Sequence, residues 1–558
     1  MTRLLPVILV GLLLGCNEEP ANLIQHTAHH STQLPPQYPL GQAPAVEYLT
    51  TNQVYNPESV IPPQCYTKTE GENNPCYACH QSYPNANKRS NMMSDGGLQG
   101  NYEFSDVGST NNWKNLFVDR THLIKSITDD NIMQWTATDN YQPFINKMKN
   151  NKQWRGEFTP IDNLANAQAA FDTLGIANDG SHWIAFNYKP FPSTFWPTNG
   201  STGDAMIRLD KTFRERHGQY SHDVYFANLA LVELTVKALK RVTVPPISEI
   251  AIGDDLNGNG KIEARITHVV ARKRYVGDAT NTSLAPMLYP QGTEFLHTVR
   301  YLGVDNNGEI FNAKRMKEVR YMKKHKFKHR NSLKGAYMRE DKEKLSESLP
   351  KTVYLGDRGI DNGFGWTINA YIEDKQGDLR QQHHQELAFC NGCHKTIGST
   401  IDQTFSFPRK IAGAAGWGYI NLKNQQDVAT LNADEGEFLT YFKRVGGGDE
   451  FRQNQEMLDK WFLENGDVNE EKVKQVDNLY QLIMPSKSRA LALNKAYLTI
   501  VKEQSYIFGR DATLSKAKNV LQTVNTLQPP LKPEHQYQWD IRLDWPSTLS
   551  VNEQGGSK

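Results

Sequence analysis

The spacing of apolar residues changes along the chain, and the change separates two kinds of region. Between about residues 151 and 375, apolar and polar residues alternate in extended runs that are joined by Asn-Gly turns. Such runs pair as β-hairpins, because an Asn-Gly turn brings two strands side by side. The predicted hairpins join Ile247–Ile252 to Lys261–Tyr275 across residues 254–260, and Phe295–Val304 to Glu309–Met322 across residues 305–308.

Apolar residues three and four positions apart predict helices, and this spacing dominates from about residue 376. The predicted helices cover residues 160–175, Tyr220–Leu239, Gln381–Phe389, 426–444, 470–483, 487–505 and 512–526. Together with the hairpins they predict a mixed α+β chain. Mainly helical or irregular regions at both ends flank a central antiparallel, strand-rich domain.

Composition divides the chain into six segments. Prolines recur among His, Gln and Thr before residue 60, with little apolar periodicity, which is typical of a tether. The predicted segments are a signal peptide (1–15), a tether (16–60), a first region with a C-x-x-C-H run (61–150), the central strand-rich domain (151–375), a second, helical domain with such a run (376–530) and an irregular tail (531–558).

The N-terminus has the pattern of an export signal. Arg3 precedes an apolar run, Leu4–Leu14, which is too short to span a bilayer because that needs ~20 residues. The residues Leu13–Cys16 resemble the lipobox of bacterial lipoproteins. The resemblance implies cleavage before Cys16 and lipidation of its thiol. The alternative is ordinary signal cleavage near this site.

Two C-x-x-C-H runs, Cys76–His80 and Cys390–His394, have the spacing of covalent haem attachment. The two thiols add to the haem vinyl groups, and the adjacent imidazole binds the iron from the proximal side. The alternatives are a zinc knuckle, a redox dithiol and coincidence, although zinc usually takes four ligands and no second Cys pair lies near either run. The predicted haem residues are Cys76, Cys79, Cys390 and Cys393 for attachment, with His80 and His394 as iron ligands.

The opposite face of each iron has several candidate ligands, and the sequence does not choose among them. They are Met92, Met93, His383, His384, Met457 and Met484. Cys65, the one cysteine that lipid and haem leave over, is either a thiolate ligand or an inert buried thiol. Arg409 and Lys410 are either partners of the haem propionates or a solvated surface pair.

On these residues the chain resembles multidomain dihaem c-type cytochrome lipoproteins of Gram-negative bacteria. The resemblance implies electron transfer in a periplasmic or outer-membrane redox chain through two haem c groups. One alternative is a dihaem oxidoreductase with one catalytic haem, similar to peroxidases, MauG-like proteins or thiosulfate dehydrogenases. Another is a redox-linked binding or sensor protein. His80 and His394 lie 314 positions apart, which argues against close kinship with the peroxidases.

The overall charge gives no indication of nucleic-acid binding, because 62 basic residues balance 61 acidic ones. The expected partners are redox proteins and, through lipid at Cys16, a membrane. The expected location is the periplasmic face of the outer membrane or the cell surface of a Gram-negative bacterium. A basic run from Lys314 to Arg330 is either a steering surface for an acidic partner or a solvated strand face.

One glycine-rich turn is a candidate calcium loop. Oxygen-bearing residues alternate there as in an EF-hand, with Gly260 at the sixth position and Ile266 where a bidentate Glu is expected. The alternative is a plain glycine turn. The candidate ligands are Asp255, Asn257, Asn259, the carbonyl of Lys261, and Glu263.

Overall fold

An antiparallel sheet of eight strands is the largest element of the structure, a computed structural model. The structure describes residues 61–67, 76–79, 108–193, 197–346, 352–395, 397, 400–446, 450–452, 454–524 and 540–546. All of them belong to one compact unit, residues 40–558. The strands are β1 (Ile184–Ala185), β2 (Ala205–Arg208), β3 (Glu215–Arg216), β4 (Gln219–Tyr220), β5 (Arg241–Ile247), β6 (Ile266–Val270), β7 (Glu294–Val304), β8 (Ile310–Lys323), β9 (Val353–Tyr354), β10 (Ile360–Asp361), β11 (Thr367–Glu373) and β12 (Leu379–Gln381).

The two longest strands, β7 and β8, lie in the middle of the sheet. The strand order is β1-β2-β7-β8-β11-β10-β9, with β12 also paired to β11, and every pair is antiparallel. Burial along β7 and β8 is nearly continuous rather than alternating, because protein covers both faces of the sheet there. The predicted α+β class with an antiparallel, strand-rich centre is therefore confirmed.

The hairpin predicted around residues 305–308 is confirmed as β7 and β8. The carboxylate of Asp305 fixes the turn, since its Oδ1 accepts the backbone N–H groups of Asn307 and Glu309, both at 2.8 Å. Gly308 has φ +86°, a conformation that a side chain would disfavour. Asn-Gly spacing was therefore a sound signal at this turn.

The hairpin predicted from Ile247–Ile252 is only partly right. The pairing strands are β5 and β6, so the first strand ends where the prediction began it. Ser248 then starts a short helix, Glu249–Ile252, by accepting the Ala251 N–H on its side chain. A serine cap favours the start of a helix, so these residues form a helix although their apolar pattern predicted a strand.

Helices surround the sheet, and three of the predicted ones are confirmed with small shifts of their ends. These are Tyr220–Leu239, 487–505 and Gln381–Phe389. The helices are α1 (Cys76–Cys79), α2 (Thr121–Ser126), α3 (Asp129–Ala137), α4 (Tyr141–Asn150), α5 (Ala167–Ala170), α6 (His222–Lys237), α7 (Glu249–Ile252), α8 (Arg330–Leu345), α9 (His384–Asn391), α10 (Glu437–Val445), α11 (Gln455–Trp461), α12 (Glu470–Lys474), α13 (Leu479–Ile483) and α14 (Lys487–Glu503).

Four predicted helices are wrong or shortened. Residues 160–175 contain only α5, because the Asp172 carboxylate accepts the N–H groups of Leu174 and Ile176 and holds a turn instead. Residues 512–524 contain no helix, since Val520 and Thr523 form isolated β-bridges with Thr67 and Thr110. The segments 426–444 and 470–483 are reduced to α10, α12 and α13.

The basic run from Lys314 to Arg330 is not a solvated strand face. Arg315, Lys317 and Lys324 are at most 5% exposed, because β8 runs through the middle of the sheet. Arg315 donates to the Glu373 carboxyl group at 2.9 Å, so its guanidinium has a hydrogen-bond partner inside the protein. Both interpretations of this run, as a solvated face and as a steering surface, are wrong for these three residues.

None of the described helices is long and apolar enough to cross a membrane.

Candidate functional site

The second C-x-x-C-H run begins in the last turn of α9 and continues the helical path beyond it. The backbone N–H groups of Cys393 and His394 both donate to the Cys390 carbonyl, at 3.2 and 2.8 Å. Residues three and four positions apart share one face of such a turn, so the two thiols and the imidazole face the same way. At the start of α9, the Glu386 carboxylate accepts the His383 N–H at 2.8 Å and fixes the helix end.

The side chains of Cys390, Cys393 and His394 are only partly covered by the rest of the protein. All three are half-buried, so some of their surface stays accessible. Desolvation nevertheless raises the pKa of the Cys393 thiol to about 12, raises the pKa of Cys390, and lowers the pKa of His394 to about 4. Desolvation of this kind shows that protein atoms surround much of each group. Redox dithiols typically have lowered thiol pKa values, which favours the haem interpretation over that alternative.

The imidazole of His394 has a defined orientation. Its Nδ1 lies 2.7 Å from the Gln403 carbonyl oxygen, which can only accept, so Nδ1 carries the proton and Nε2 keeps its lone pair. Phe405 packs edge-on against the ring at 5.5 Å between centroids. Asn362 donates to the His394 carbonyl at 3.0 Å. The site therefore presents one fixed nitrogen lone pair beside two thiols.

A cation from the sheet lies near the thiols. Arg320 on β8 opposes the desolvation that raises the pKa values of Cys390 and Cys393, and it adds to the lowering of the His394 pKa. Its side chain is 25% exposed, so part of the guanidinium remains accessible. On β7, His297 is the residue directly opposite, and the two side chains therefore lie on one face of the sheet.

Glu318 connects Arg320 to the C-terminal region. Its carboxylate accepts from Arg320 Nε at 2.9 Å and from Arg510 Nη1 at 3.3 Å. Burial alone would raise the pKa of Glu318, but the two guanidinium groups hold it at about 2. Arg510 also donates to the Glu386 carbonyl at 2.6 Å and lies over the Phe389 ring. This network ties the sheet to the helix that carries the motif.

Sequence reasoning missed Glu318, Arg510 and His297, and it placed Arg320 in a solvated or partner-facing run. The available signal was the alternation along β8, which puts Glu318 and Arg320 on the same face. Nothing local in the sequence connects Arg510 to α9, because the two segments meet only through the tertiary fold.

The first C-x-x-C-H run is described only in part. Cys76–Cys79 forms α1, in which Ala78 is fully buried. Cys79 and Cys390 both pack against the large buried cluster that contains Ala78, so both motifs border one hydrophobic core. The side chain of Cys76 and the residues His80, Met92, Met93 and Cys16 lie outside the described part of the chain.

The candidate second iron ligands that the structure describes have other contacts. His384 Nε2 lies 3.3 Å from the Thr352 carbonyl, and its ring stacks on Tyr354. Met457 is 1% exposed in the core, and Met484 packs against the same cluster. His383 is the N-terminal cap residue of α9. These contacts are those of packing and capping residues.

Three further candidates have defined environments. Arg409 forms two hydrogen bonds with Glu437, and Lys410 pairs with Glu233 at 2.9 Å. Both basic side chains are fully buried, so they are not a solvated pair, and the pairing with haem propionates stays a prediction. Cys65 is half-buried in a short 3-10 helix, and none of the described cysteines forms a disulfide.

The candidate calcium loop folds onto itself. Asp255 accepts the N–H groups of Gly258 and Gly260, each at 2.8 Å, and these bonds lower its pKa. The Glu263 carboxylate accepts from the amide groups of Asn257 and Asn259. Lys261 is exposed and its N–H donates to Asn259 Oδ1 at 2.8 Å. The calcium prediction remains a prediction, beside the alternative of a plain turn.

Over the described residues, no group of three or more His, Cys, Asp or Glu side chains is arranged to hold a metal ion. A haem iron takes only one or two protein ligands, the porphyrin supplying the others, so the haem prediction stays a prediction.

Comparison with known proteins identifies a lipoprotein family. A family model described as "-like lipoprotein" matches residues 49–480. An "Uncharacterized lipoprotein" of Aquifex aeolicus (strain VF5) is 30% identical over 548 residues, covering 88% of this chain and 91% of that protein. No solved structure matches the chain.

These matches correct the resemblance to dihaem c-type cytochrome lipoproteins, which is wrong. The matching family and relative are described as lipoproteins and not as cytochromes, and no metal-holding group of three side chains exists among the described residues. The lipoprotein part of the prediction is confirmed, with the export and lipid anchor that it implies. The chain belongs to the lipoprotein family whose model matches residues 49–480.

Proposed function

We propose that this lipoprotein carries one covalent haem at the C-terminal end of α9 and passes single electrons through it. Cys390 and Cys393 form the attachment, and His394 is the proximal iron ligand. When bound, the haem supplies one-electron Fe(III)/Fe(II) chemistry. The proposal concerns this site alone and no kinship with cytochrome families.

The observation that carries the proposal is the state of His394. A histidine ligand typically donates its second ring N–H to a carbonyl, which fixes the tautomer and the ring plane. His394 already makes this hydrogen bond, from Nδ1 to the Gln403 carbonyl at 2.7 Å. Its Nε2 is therefore the nitrogen left to bind a metal, on the same turn as the two thiols.

Attachment would need no oxidant. Each S–H would add across one vinyl C=C bond, so that sulfur bonds to one carbon and hydrogen goes to the other. Burial raises the pKa of both Cys390 and Cys393. The thioethers formed would be apolar groups, which suit this desolvated position better than ionised thiolates do.

A cation beside the thiols supports a ligand with carboxylates. Arg320 on β8 lowers the pKa values of Cys390 and Cys393 against the effect of burial, and its side chain is 25% exposed. Its guanidinium would pair with a haem propionate. The two thiols, His394 and Arg320 are therefore the groups that would hold a haem.

Lipidation at Cys16 completes the proposal. The lipobox-like residues Leu13–Cys16 and membership of a lipoprotein family support it. By resemblance to enterobacterial lipoproteins, Asn17 after the cysteine favours the outer membrane, where the folded part would meet redox partners at the periplasmic face or the cell surface. A second haem at Cys76, Cys79 and His80 remains a prediction from sequence.

The test is covalent haem content in the full chain, exported from a Gram-negative host that attaches haem c. In a Cys76→Ala/Cys79→Ala background, any haem that survives denaturation and acid extraction belongs to the second motif. We expect one covalent haem per chain, with a spectrum that changes reversibly between oxidised and reduced forms. Adding Cys390→Ala and Cys393→Ala should abolish it.

The matched control is Cys65→Ala, which removes a half-buried thiol outside the motif. It should leave the haem content unchanged. Haem that is absent from the Cys76→Ala/Cys79→Ala background, or that survives the loss of Cys390 and Cys393, would overturn the proposal.

A further inference from the structure

The carbonyl that orients His394 sits in a strained turn. Ile401 and Thr404 donate backbone N–H groups to each other's carbonyls at 3.1 and 3.0 Å, which closes a four-residue turn. The two central residues, Asp402 and Gln403, have φ +48° and +60°. Left-handed conformations at two consecutive non-glycine residues are unfavourable and persist only where neighbouring contacts enforce them.

A buried ion pair enforces this turn. The Asp402 carboxylate accepts from the Lys324 ammonium group and from the Tyr289 backbone N–H at 2.9 Å. The Lys324 side chain is 1% exposed and that of Asp402 is 0% exposed. Gln403 itself is held by its own amide, which donates to the Tyr337 hydroxyl at 2.6 Å.

Stability alone does not account for the pair. Removing two charges from water costs more than a buried ion pair generally returns, so apolar residues of similar size would serve stability as well or better. The pair instead holds the turn in place. Lys324, directly after β8, keeps Asp402 and Gln403 at backbone angles that these residues would otherwise avoid. The group whose position matters here is the Gln403 carbonyl, the hydrogen-bond partner of His394.

We propose that Lys324 and Asp402 are positioning residues for His394. By pinning the turn, they keep the Gln403 carbonyl within hydrogen-bond distance of Nδ1, and so hold the imidazole in one tautomer and one plane. The inference rests on the proposed function, because it concerns the nitrogen that would face the iron. It means that two residues outside the C-x-x-C-H run determine the orientation of the His394 imidazole.

The pair also affects the ligand strength of His394. A hydrogen bond from Nδ1 to an acceptor makes the other nitrogen more basic, and a more basic ligand stabilises Fe(III) over Fe(II). Loosening the turn should therefore weaken that hydrogen bond and raise the midpoint potential of the bound haem. A pair with a purely structural role would change stability without moving the potential.

The experiment compares midpoint potentials in the Cys76→Ala/Cys79→Ala background, where a single haem is expected. Asp402→Asn alone leaves Lys324 buried without its counter-charge and risks misfolding. The informative variant is therefore Lys324→Met/Asp402→Leu, which removes both charges together. We expect it to retain covalent haem, and to show a higher midpoint potential and a changed low-temperature EPR signal of the ferric iron.

A buried ion pair elsewhere provides the control. Arg120 and Glu503 pair at 2.6 Å with side chains 4% and 9% exposed. Arg120→Met/Glu503→Leu should alter stability and leave the potential unchanged. An unchanged potential in Lys324→Met/Asp402→Leu, with haem bound, would overturn this inference and leave the proposed function standing. Absence of covalent haem from the parent protein would overturn both.

Discussion

Two segments that the sequence singled out by spacing, Cys390–His394 and Asp255–Glu263, have opposite environments. The thiols and the imidazole of the first are desolvated, with Arg320 of the sheet near them. The polar side chains of the second bond to the N–H groups and amides of their own loop. The thiols and the imidazole of the first segment remain available to a ligand. The carboxylates of the second segment already accept hydrogen bonds from their own loop.

The difference teaches what a spacing motif can establish. Spacing decides whether groups can share a face or a centre, and both segments meet that requirement. It does not decide whether the surrounding protein leaves those groups available. At α9, availability comes from residues far away in sequence, such as Arg320, Gln403 and Arg510.

The largest expected effect comes from removing the negative charge of Glu318, which lies between Arg320 and Arg510. Glu318→Gln leaves Arg320 and Arg510 without their shared counter-charge in a buried network, so the free energy of unfolding should fall by about 3–5 kcal/mol. Glu263→Gln, at the exposed loop, should cause a far smaller loss. Urea unfolding of both variants measures the two free energies of unfolding. Equal losses in these free energies would show that the two segments do not differ in this respect.

A smaller effect should appear in the pH dependence of stability. Desolvation raises the pKa of buried Glu373 to about 7, so the folded protein holds a proton that the unfolded chain has lost. Between pH about 4.5 and about 7, this group therefore makes stability fall as pH rises, by about 3 kcal/mol. Glu373→Gln should remove that decline.

The exposed loop should show the opposite sign. Hydrogen bonds lower the pKa values of Asp255 and Glu263, so their contribution is present above the unfolded pKa and is lost as pH falls. Chemical unfolding at a series of pH values measures both effects. A Glu373→Gln variant that keeps the wild-type decline would show that this carboxyl ionises freely in the folded protein.

The smallest expected effect is that of calcium on the loop. If Asp255, Asn257, Asn259, Lys261 and Glu263 bind the ion, calcium should raise Tm and Asp255→Ala should remove the rise. A plain turn would show the same Tm with calcium and with a chelator. Because the Asp255 and Glu263 oxygens already accept hydrogen bonds within the loop, we expect only a small calcium shift. Magnesium is the matched control ion.

Local signals in the sequence predicted local structure well. The Asn-Gly turn gave the β7–β8 hairpin, and apolar spacing gave α6, α9 and α14, because neighbouring residues decide these elements. Helix predictions failed where a polar side chain accepted hydrogen bonds from backbone N–H groups, as Asp172 does. They also failed where segments distant in sequence paired, as Val520 and Thr67 do.

Most of the candidate site's surroundings were outside the reach of sequence reasoning. The motif itself is contiguous, so its residues were identified directly. Lys324 and Arg320 read as surface charges because nothing local shows that β8 lies in the middle of the sheet. The Gln403 carbonyl belongs to the backbone, which carries no sequence signal at all.

The most direct test of the proposed function is mass spectrometry of the peptide that spans Cys390–His394, from the full-length exported protein. We predict that this peptide carries one haem, joined through both cysteines, and that neither thiol reacts with an alkylating reagent after denaturation. A peptide of unmodified mass whose two thiols are both alkylated would contradict the central claim.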